Sequence, residues 1–278
     1  MNCEKLELKN FFPFLGEDDC NPTLEVILPY NMPQMKREKM KRPCLLICPG
    51  GGYSECSERE AEPIGLHFLP EGYNVFILTY SVAPHKFPTQ IREVAAAMEL
   101  IYRKAEEWNC DTEKIAIIGF SAGGHLAAHY STMYDCKEVR EFFPESKPVN
   151  ASILGYPVIT ADFDYAHQGS FLKLIGHAPK NKEEQDYFSC DCQVDANTPP
   201  TFIWHTAEDT IVPVENSLLY ANALVKHNIP VELHIYPFGN HGLATCDEHT
   251  LDNVDKAIAH NKMWLTSAKS WLKLIFEG

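Results

Sequence analysis

Blocks of apolar residues alternate along the chain with amphipathic stretches, and the two kinds of block predict strands and helices in turn. The apolar blocks are short and rich in β-branched residues, which is typical of strands buried on both faces of a sheet. They lie at residues 44–48, 75–80, 115–118, 151–156 and 201–205. Residues 23–30 and 231–236 alternate between apolar and polar side chains and predict more exposed strands, the first of them at an edge.

The stretches between these strands are helical in character. They are residues 60–70, 89–109, 215–228 and 251–276, the last containing one or two helices. The pattern is clearest at 89–109, where Ile91, Val94, Met98 and Ile101 recur at three- and four-residue spacing. Alternation of strand and helix predicts an α/β fold, with a mostly parallel sheet covered by helices on both faces. We interpret residues 1–278 as a single domain.

Residues 157–200 interrupt this alternation. The segment mixes charged residues and histidines with aromatic side chains, among them Phe163 and Tyr165, and it has no clear period. A stretch of this length inside a compact domain is usually functional, for example as a lid. We therefore expect a lid or substrate-pocket insertion at about 157–200.

The charge of the chain narrows the classes of partner. Its 24 basic and 38 acidic residues give a net charge of −14 at pH 7, which argues against nucleic acid or an anionic membrane surface as a partner. No apolar run is long enough to span a membrane, and the N-terminus lacks a basic segment followed by a hydrophobic one. With ten scattered cysteines, these features predict a cytoplasmic protein with free thiols and no metal site.

Residues 119–123 read Gly-Phe-Ser-Ala-Gly and lie between an apolar strand and a helix of small residues. A sharp strand-to-helix turn of this kind lifts its central residue onto the rim of a sheet, because glycines on both sides remove colliding side chains. The pattern predicts Ser121 as a catalytic nucleophile. An ordinary glycine-rich turn is the alternative.

A serine nucleophile needs a general base and an orienting carboxylate, which in this arrangement follow later strands in the order acid, then histidine. Asp209 follows the strand at 201–205, and His241 follows the strand at 231–236. Glu208 is the rival acid, but it should point away from the site as a solvated charge. His205 is expected to be a hydrogen-bonded wall residue, and His125 to pack against its own helix.

Three consecutive glycines follow the strand at 44–48. The loop reads Pro49-Gly50-Gly51-Gly52-Tyr53, and without side chains its backbone amides can approach a ligand closely. We predict that Gly51 and Gly52, together with the amide of Ala122, form an oxyanion hole. A flexible turn is the alternative.

Taken together, these motifs resemble those of α/β hydrolases, and within them the acetylesterase and hormone-sensitive-lipase-like branch. Pro49 replaces the histidine of that branch's His-Gly-Gly-Gly motif, whereas residues 119–124 match its Gly-x-Ser-Ala-Gly-Gly elbow. Residues 80–88 are similar to its Tyr-Arg-Leu-Ala-Pro-x-x-x-Phe-Pro segment, with Ser81 where arginine is usual. The resemblance covers about residues 40–275.

Among subgroups, the chain looks most like small bacterial acetylesterases associated with xylan breakdown. This resemblance implies an α/β-hydrolase fold, removal of acetyl groups from sugars, and no cofactor. We therefore expect a serine esterase acting on a small ester or an acetylated sugar, with Tyr53, Phe163 and Tyr165 as substrate-binding residues. For each of these aromatic residues, the alternative to substrate contact is packing in the hydrophobic core.

Two other functions stay open on the sequence. An amide hydrolase of the same fold, such as an arylformamidase or a peptidase, would use the same three catalytic residues. An inactive ligand-binding homologue would need none of them. Such proteins usually lose a member of the triad, whereas this chain has all three. The oligomeric state is also open, and a homo-oligomer is compatible with the sequence.

Overall fold

The computed structural model describes residues 1–278, except for the side chains of residues 17 and 18. One sheet contains all the strands of the described chain, in the order β1-β2-β4-β3-β5-β6-β7-β8. The strands are β1 (Asn2–Glu7), β2 (Thr23–Leu28), β3 (Arg42–Cys48), β4 (Asn74–Thr79), β5 (Cys110–Phe120), β6 (Ala151–Gly155), β7 (Thr201–Thr206) and β8 (Val231–Tyr236).

Six of these strands are parallel, from β4 through β3, β5, β6 and β7 to β8. Strand β2 runs antiparallel to both of its neighbours, β1 and β4. In the centre, Leu46 of β3 aligns with Phe76 of β4 and Ile117 of β5, so the apolar blocks lie side by side. The carboxyl ends of the parallel strands therefore meet at one edge, where their loops can build a site.

Helices cover both faces of the sheet. They are α1 (Glu62–Phe68), α2 (Thr89–Arg103), α3 (Ser121–Met133), α4 (Lys137–Arg140), α5 (Gln168–Ile175), α6 (Lys182–Phe188), α7 (Glu215–Lys226), α8 (Lys256–Asn261) and α9 (Met263–Glu277). Neighbouring residues of β5 point into opposite layers, because side chains alternate along a strand. Ile117 joins the core formed with α2, α3 and α7, whereas Ile118 joins the core formed with α1 and α9.

The predicted central strands and the helix at 89–109 are confirmed, with the helix ending earlier, at Arg103. The edge strand is different from the one expected. Strand β2 is an inner strand, and β1, which the sequence pattern missed, lies at the edge beside it. Most side chains of β1 are exposed, so its sequence carries little apolar signal. Residues 157–200 contain the short helices α5 and α6.

The mostly parallel eight-stranded sheet with helices on both faces confirms the predicted α/β-hydrolase fold. Among the residues that the structure describes, no helix combines the length and the hydropathy needed to cross a membrane.

Candidate active site

The turn between β5 and α3 presents Ser121 at the carboxyl edge of the sheet. Ser121 has a φ of 53°, in the left-handed region that costs energy for a residue with a side chain. Close packing explains the two flanking glycines. A Cβ atom on Gly119 would lie 2.2 Å from the carbonyl oxygen of Gly123, and one on Gly123 would lie 2.2 Å from the carbonyl oxygens of Cys48 and Pro49.

Ser121, His241 and Asp209 form a continuous chain of hydrogen bonds. Nε2 of His241 lies 2.8 Å from Oγ of Ser121, and Nδ1 of His241 lies 2.6 Å from Oδ2 of Asp209. Because a carboxylate can only accept, the Nδ1–H group of His241 donates to Asp209. The lone pair on Nε2 is then free to take the proton of the serine hydroxyl. The structure thus brings together the three residues that the sequence singled out.

The surroundings of Asp209 keep its carboxylate charged. Oδ1 accepts hydrogen bonds of 2.9 Å from the amides of Ile211 and Val212, and Oδ2 lies 3.1 Å from Nε2 of His205. Burial raises the pKa of Asp209, but the hydrogen bonds from His205 and His241 outweigh it and hold the pKa well below its usual range. A charged carboxylate can stabilise the imidazolium ion that forms when His241 takes a proton.

His205 and Glu208, the two neighbours of Asp209 considered in the sequence, lie where they were expected. His205 is fully buried, and its Nδ1 accepts a 2.7 Å hydrogen bond from Oγ of Ser217, so it is a hydrogen-bonded wall residue. Glu208 is exposed, as expected for a solvated charge. Its carboxylate accepts a 3.1 Å hydrogen bond from the amide of Gly239, in the loop that carries the histidine.

The oxyanion loop, residues 49–53, lies against the nucleophile. Gly51 and Gly52 have φ angles of 124° and 63°. A Cβ atom added to Gly52 would have no other atom within 4 Å, so the space beside this residue is open. Within the described residues, the amides of Gly51 and Gly52 have no protein acceptor, whereas that of Gly50 donates to Glu60. Ala122 is the second residue of α3, where backbone amides have no acceptor within the helix. This arrangement suits the predicted donors, whose role stays a prediction.

Tyr53 does not line the site, so the prediction that its side chain contacts a substrate is wrong for this conformation. The side chain is only 1% exposed, and its hydroxyl donates to Nδ1 of His125 at 2.8 Å. The sequence could not reveal this, because the residue after a glycine loop can face either way. Nε2 of His125 donates to the carbonyl oxygen of Phe188 at 2.9 Å. Burial lowers the pKa of His125 to about 4, so this helix residue is neutral.

The two other candidate substrate residues lie at the surface. Phe163 is 54% exposed and Tyr165 is 38% exposed, so neither is a core residue. The backbone of Tyr165 is held by Asn216, whose side-chain amide donates to its carbonyl oxygen at 2.9 Å. Substrate contact by either ring stays a prediction.

Two residues near His241 were missed in the sequence. Burial and the imidazole of His241 lower the pKa of His167, and Asp209 acts against that change, so His167 is an electrostatic neighbour of the site. Glu60 is buried beneath the oxyanion loop. Neither belongs to a recognisable motif, and only the fold brings them close.

The residues that the structure describes include no group of three or more His, Cys, Asp or Glu side chains arranged to hold a metal ion. What they do provide is a serine hydrogen-bonded to a histidine, which is hydrogen-bonded to an aspartate, beside a loop in which the amides of Gly51 and Gly52 have no acceptor. This set can carry out acyl transfer.

Comparison with known proteins gives a family and several relatives. The BD-FAE family model matches residues 30–224. Endo-1,4-beta-xylanase B of Butyrivibrio fibrisolvens is 39% identical over 224 residues, covering 77% of this chain and 34% of that protein. The acetylxylan esterase of Xylanibacter ruminicola is 33% identical over 199 residues, covering 70% of this chain and 39% of that protein. The chain thus spans less than half the length of these two relatives.

Solved structures show the same similarity along the whole chain. The acetyl ester-xyloside bifunctional hydrolase from Caldicellulosiruptor lactoaceticus superposes with a TM-score of 0.83 at 33% sequence identity. The match covers 98% of this chain and 96% of that one.

Proposed function

Because the chain belongs to the BD-FAE family, we propose that it is a serine esterase that removes acetyl or other short acyl groups through an acyl-enzyme. The observation that carries this proposal is the hydrogen-bond chain from Ser121 through His241 to Asp209. It lies at the carboxyl edge of the sheet, beside amides that have no acceptor among the described residues.

In the first half of the reaction, Oγ of Ser121 attacks the ester carbonyl carbon while Nε2 of His241 takes the hydroxyl proton. The carbonyl oxygen becomes an oxyanion, which the amides of Gly51, Gly52 and Ala122 stabilise by about 2–4 kcal/mol per donor. The imidazolium ion, held by Asp209, then gives its proton to the departing alcohol.

In the second half, water takes the place of the alcohol. His241 removes a proton from the water, which attacks the acyl-serine and forms a second oxyanion in the same hole. Collapse of this intermediate releases the carboxylic acid and returns the proton to Oγ of Ser121. The cycle consumes one ester and one water and leaves the enzyme unchanged.

An acetylated sugar is the substrate class that the relatives favour. The names of the relatives from Xylanibacter ruminicola and Caldicellulosiruptor lactoaceticus refer to acetyl esters and to xylan or xylosides. The exposed rings of Phe163 and Tyr165 offer flat apolar surfaces of the kind on which sugar rings can pack. We therefore propose acetylated xylo-oligosaccharides as the natural substrates.

The test is hydrolysis of activated esters from acetyl to decanoyl, followed by acetylated xylo-oligosaccharides, with Ser121→Ala measured alongside. We expect the rate to be highest with acetyl, acetate to be released from the oligosaccharides, and the variant to lose about 10⁴-fold or more of kcat. Unchanged hydrolysis by Ser121→Ala would exclude it as the nucleophile. Cleavage of N-formylkynurenine without cleavage of any ester would show an amide hydrolase instead.

A further inference from the structure

Glu60 is a buried carboxylate that the catalytic steps above do not use. It is the last residue of a short 3₁₀ turn, Glu58–Glu60, just before α1, and it is only 3% exposed. Its two oxygens have different partners. Oε2 accepts a 2.9 Å hydrogen bond from the amide of Gly50, and Oε1 accepts a 2.6 Å hydrogen bond from the hydroxyl of Tyr156. The hydroxyl oxygen of Tyr156 in turn accepts from the amide of Ala244 at 2.9 Å.

These contacts connect three separate parts of the chain around the nucleophile. Gly50 belongs to the oxyanion loop, Tyr156 directly follows β6, and Ala244 lies in the histidine loop, residues 237–246. We propose that Glu60 and Tyr156 are positioning residues that hold the oxyanion loop and the histidine loop at a fixed spacing around Ser121. The proposal rests on the esterase function proposed above, and it adds two residues that act through others.

The hydrogen bonds that run from Gly50 through Glu60 and Tyr156 to Ala244 form a bridge between the two loops. Its oxyanion end, at Gly50, lies directly against Ser121. A Cβ atom on Gly50 would be 3.0 Å from Cβ of Ser121 and 2.5 Å from Oε2 of Glu60, so only glycine fits between them. Because its amide is bound by Glu60, Gly50 cannot donate to an oxyanion. Its fixed backbone instead sets the direction of the next two amides, those of Gly51 and Gly52.

The histidine end of the bridge acts through Tyr156. Its ring packs edge-on against the imidazole of His241, with 5.0 Å between the ring centroids. Tyr156 and Ala244 have φ angles of 36° and 47°, in a region that residues with side chains rarely adopt. The surrounding contacts must hold such a backbone in place. The hydrogen bond between the two residues is one of those contacts.

Burial raises the pKa of Glu60, whereas the hydrogen bonds from Tyr156 and Gly50 favour the ionised carboxylate. Gly50 donates through N–H, and Tyr156 donates its hydroxyl proton while its oxygen accepts from Ala244. An ionised carboxylate accepts both bonds at once. A glutamine has one acceptor oxygen and one donor nitrogen, so it can satisfy only one of the two donors.

Glu93 provides a matched control. It is also a buried carboxylate, and it accepts one hydrogen bond from an amide and one from a hydroxyl, both from Ser81 and both 2.6 Å long. It lies on α2, and none of its hydrogen bonds goes to the oxyanion loop or the histidine loop. Replacing it disturbs a buried carboxylate without touching the bridge.

The experiment compares Glu60→Gln, Tyr156→Phe and Glu93→Gln with the wild type. Folded active sites are counted by complete reaction with a fluorophosphonate, and kcat and KM for an acetyl ester are then expressed per titrated serine. We expect Glu60→Gln and Tyr156→Phe to lower kcat about 10- to 100-fold with KM nearly unchanged, because a shift of about 1 Å in the reacting groups has effects of this size. Glu93→Gln should lower thermal stability and leave kcat per site within about twofold of the wild type.

The bridge would be excluded if both variants turned over at the wild-type rate per titrated serine, or if Glu93→Gln lost as much as Glu60→Gln. If Glu60→Gln gives no folded protein, Tyr156→Phe carries the test, because it keeps the bond between Glu60 and Gly50. Failure of the esterase proposal itself has a different signature. The wild type would then react with neither the acetyl ester nor the fluorophosphonate.

Discussion

At the scale of single residues, the choice between two adjacent carboxylates shows how the fold selects the acid. Asp209 accepts hydrogen bonds from His241, His205 and the amides of Ile211 and Val212. These donors fix both oxygens and keep the group ionised. Glu208 lies in the turn that follows β7, where its side chain is exposed and accepts a hydrogen bond from the amide of Gly239.

We expect Asp209→Asn to lower kcat by about 10⁴-fold, because the amide lacks the negative charge and can reverse the tautomer of His241. The control is Glu208→Gln, whose remaining oxygen can still accept from Gly239, and it should change kcat by no more than about threefold. Steady-state kinetics on an acetyl ester measure both. A larger loss for Glu208→Gln than for Asp209→Asn would assign the acid to Glu208.

The site was predictable from the sequence wherever a residue lies in the turn or loop that follows a parallel strand. Ser121 directly follows β5, Asp209 lies in the loop after β7 and His241 in the loop after β8, and parallel strands bring such positions to one edge. Glu60 was not predictable, because it lies in a charged stretch where nothing distinguishes the buried carboxylate from its exposed neighbours, Glu58 and Arg59. Periodicity shows which face of an element is apolar, but it cannot show which charge in a loop is buried.

At the scale of elements, α3 links the nucleophile to the two segments beside it. Its fifth residue, His125, receives a hydrogen bond from Tyr53 of the oxyanion loop and donates one to Phe188 at the end of α6. The arrangement requires a neutral imidazole with its proton on Nε2. Protonation would place a second hydrogen on Nδ1, where the hydroxyl of Tyr53 now donates.

This requirement predicts a pH dependence of stability. The folded-state pKa of His125 is about 4, below the ordinary value of about 6.5, so between these values the unfolded chain binds a proton that the folded chain does not. The free energy of unfolding should therefore fall on acidification from pH 6.5 to 4, with a contribution from His125 of about 3 kcal/mol.

The measurement is urea unfolding of the wild type and His125→Gln across that pH range. The variant should be less stable at pH 7. Its free energy of unfolding should also depend less steeply on pH, because unfolding of the variant takes up as much as about one proton fewer. Equal slopes for the two proteins would show that His125 binds a proton equally well in the folded and the unfolded chain. Such a result would contradict the hydrogen-bond arrangement around α3.

The elements differ in how well their sequence predicts them. β3 and β5 lie in the middle of the sheet with both faces covered, so their apolar blocks are distinct. β1 pairs with one neighbour only and is mostly exposed, and its sequence therefore resembles a polar loop. The order of β1 and β2 depends on long-range pairing, for which the local pattern contains no signal.

At the scale of the whole molecule, the fold assembles the site from distant parts of the chain. Ser121 and His241 are 120 residues apart in sequence, and their reacting atoms are 2.8 Å apart. Five loops contribute, namely those after β3, β5, β6, β7 and β8. Because these strands are adjacent and parallel, one sheet edge supports Ser121, His241, Asp209 and residues 49–53 together.

The central claim is that an acyl group passes through Ser121, and the most direct test is the mass of the enzyme during turnover. The protein is mixed with an excess of an activated acetyl ester, quenched in acid within the first turnovers, digested and analysed by mass spectrometry. We expect one acetyl group on the peptide that contains Ser121, and none on that peptide from Ser121→Ala. Turnover by the wild type with no acetyl on this peptide, or with the acetyl on another residue, would contradict the account.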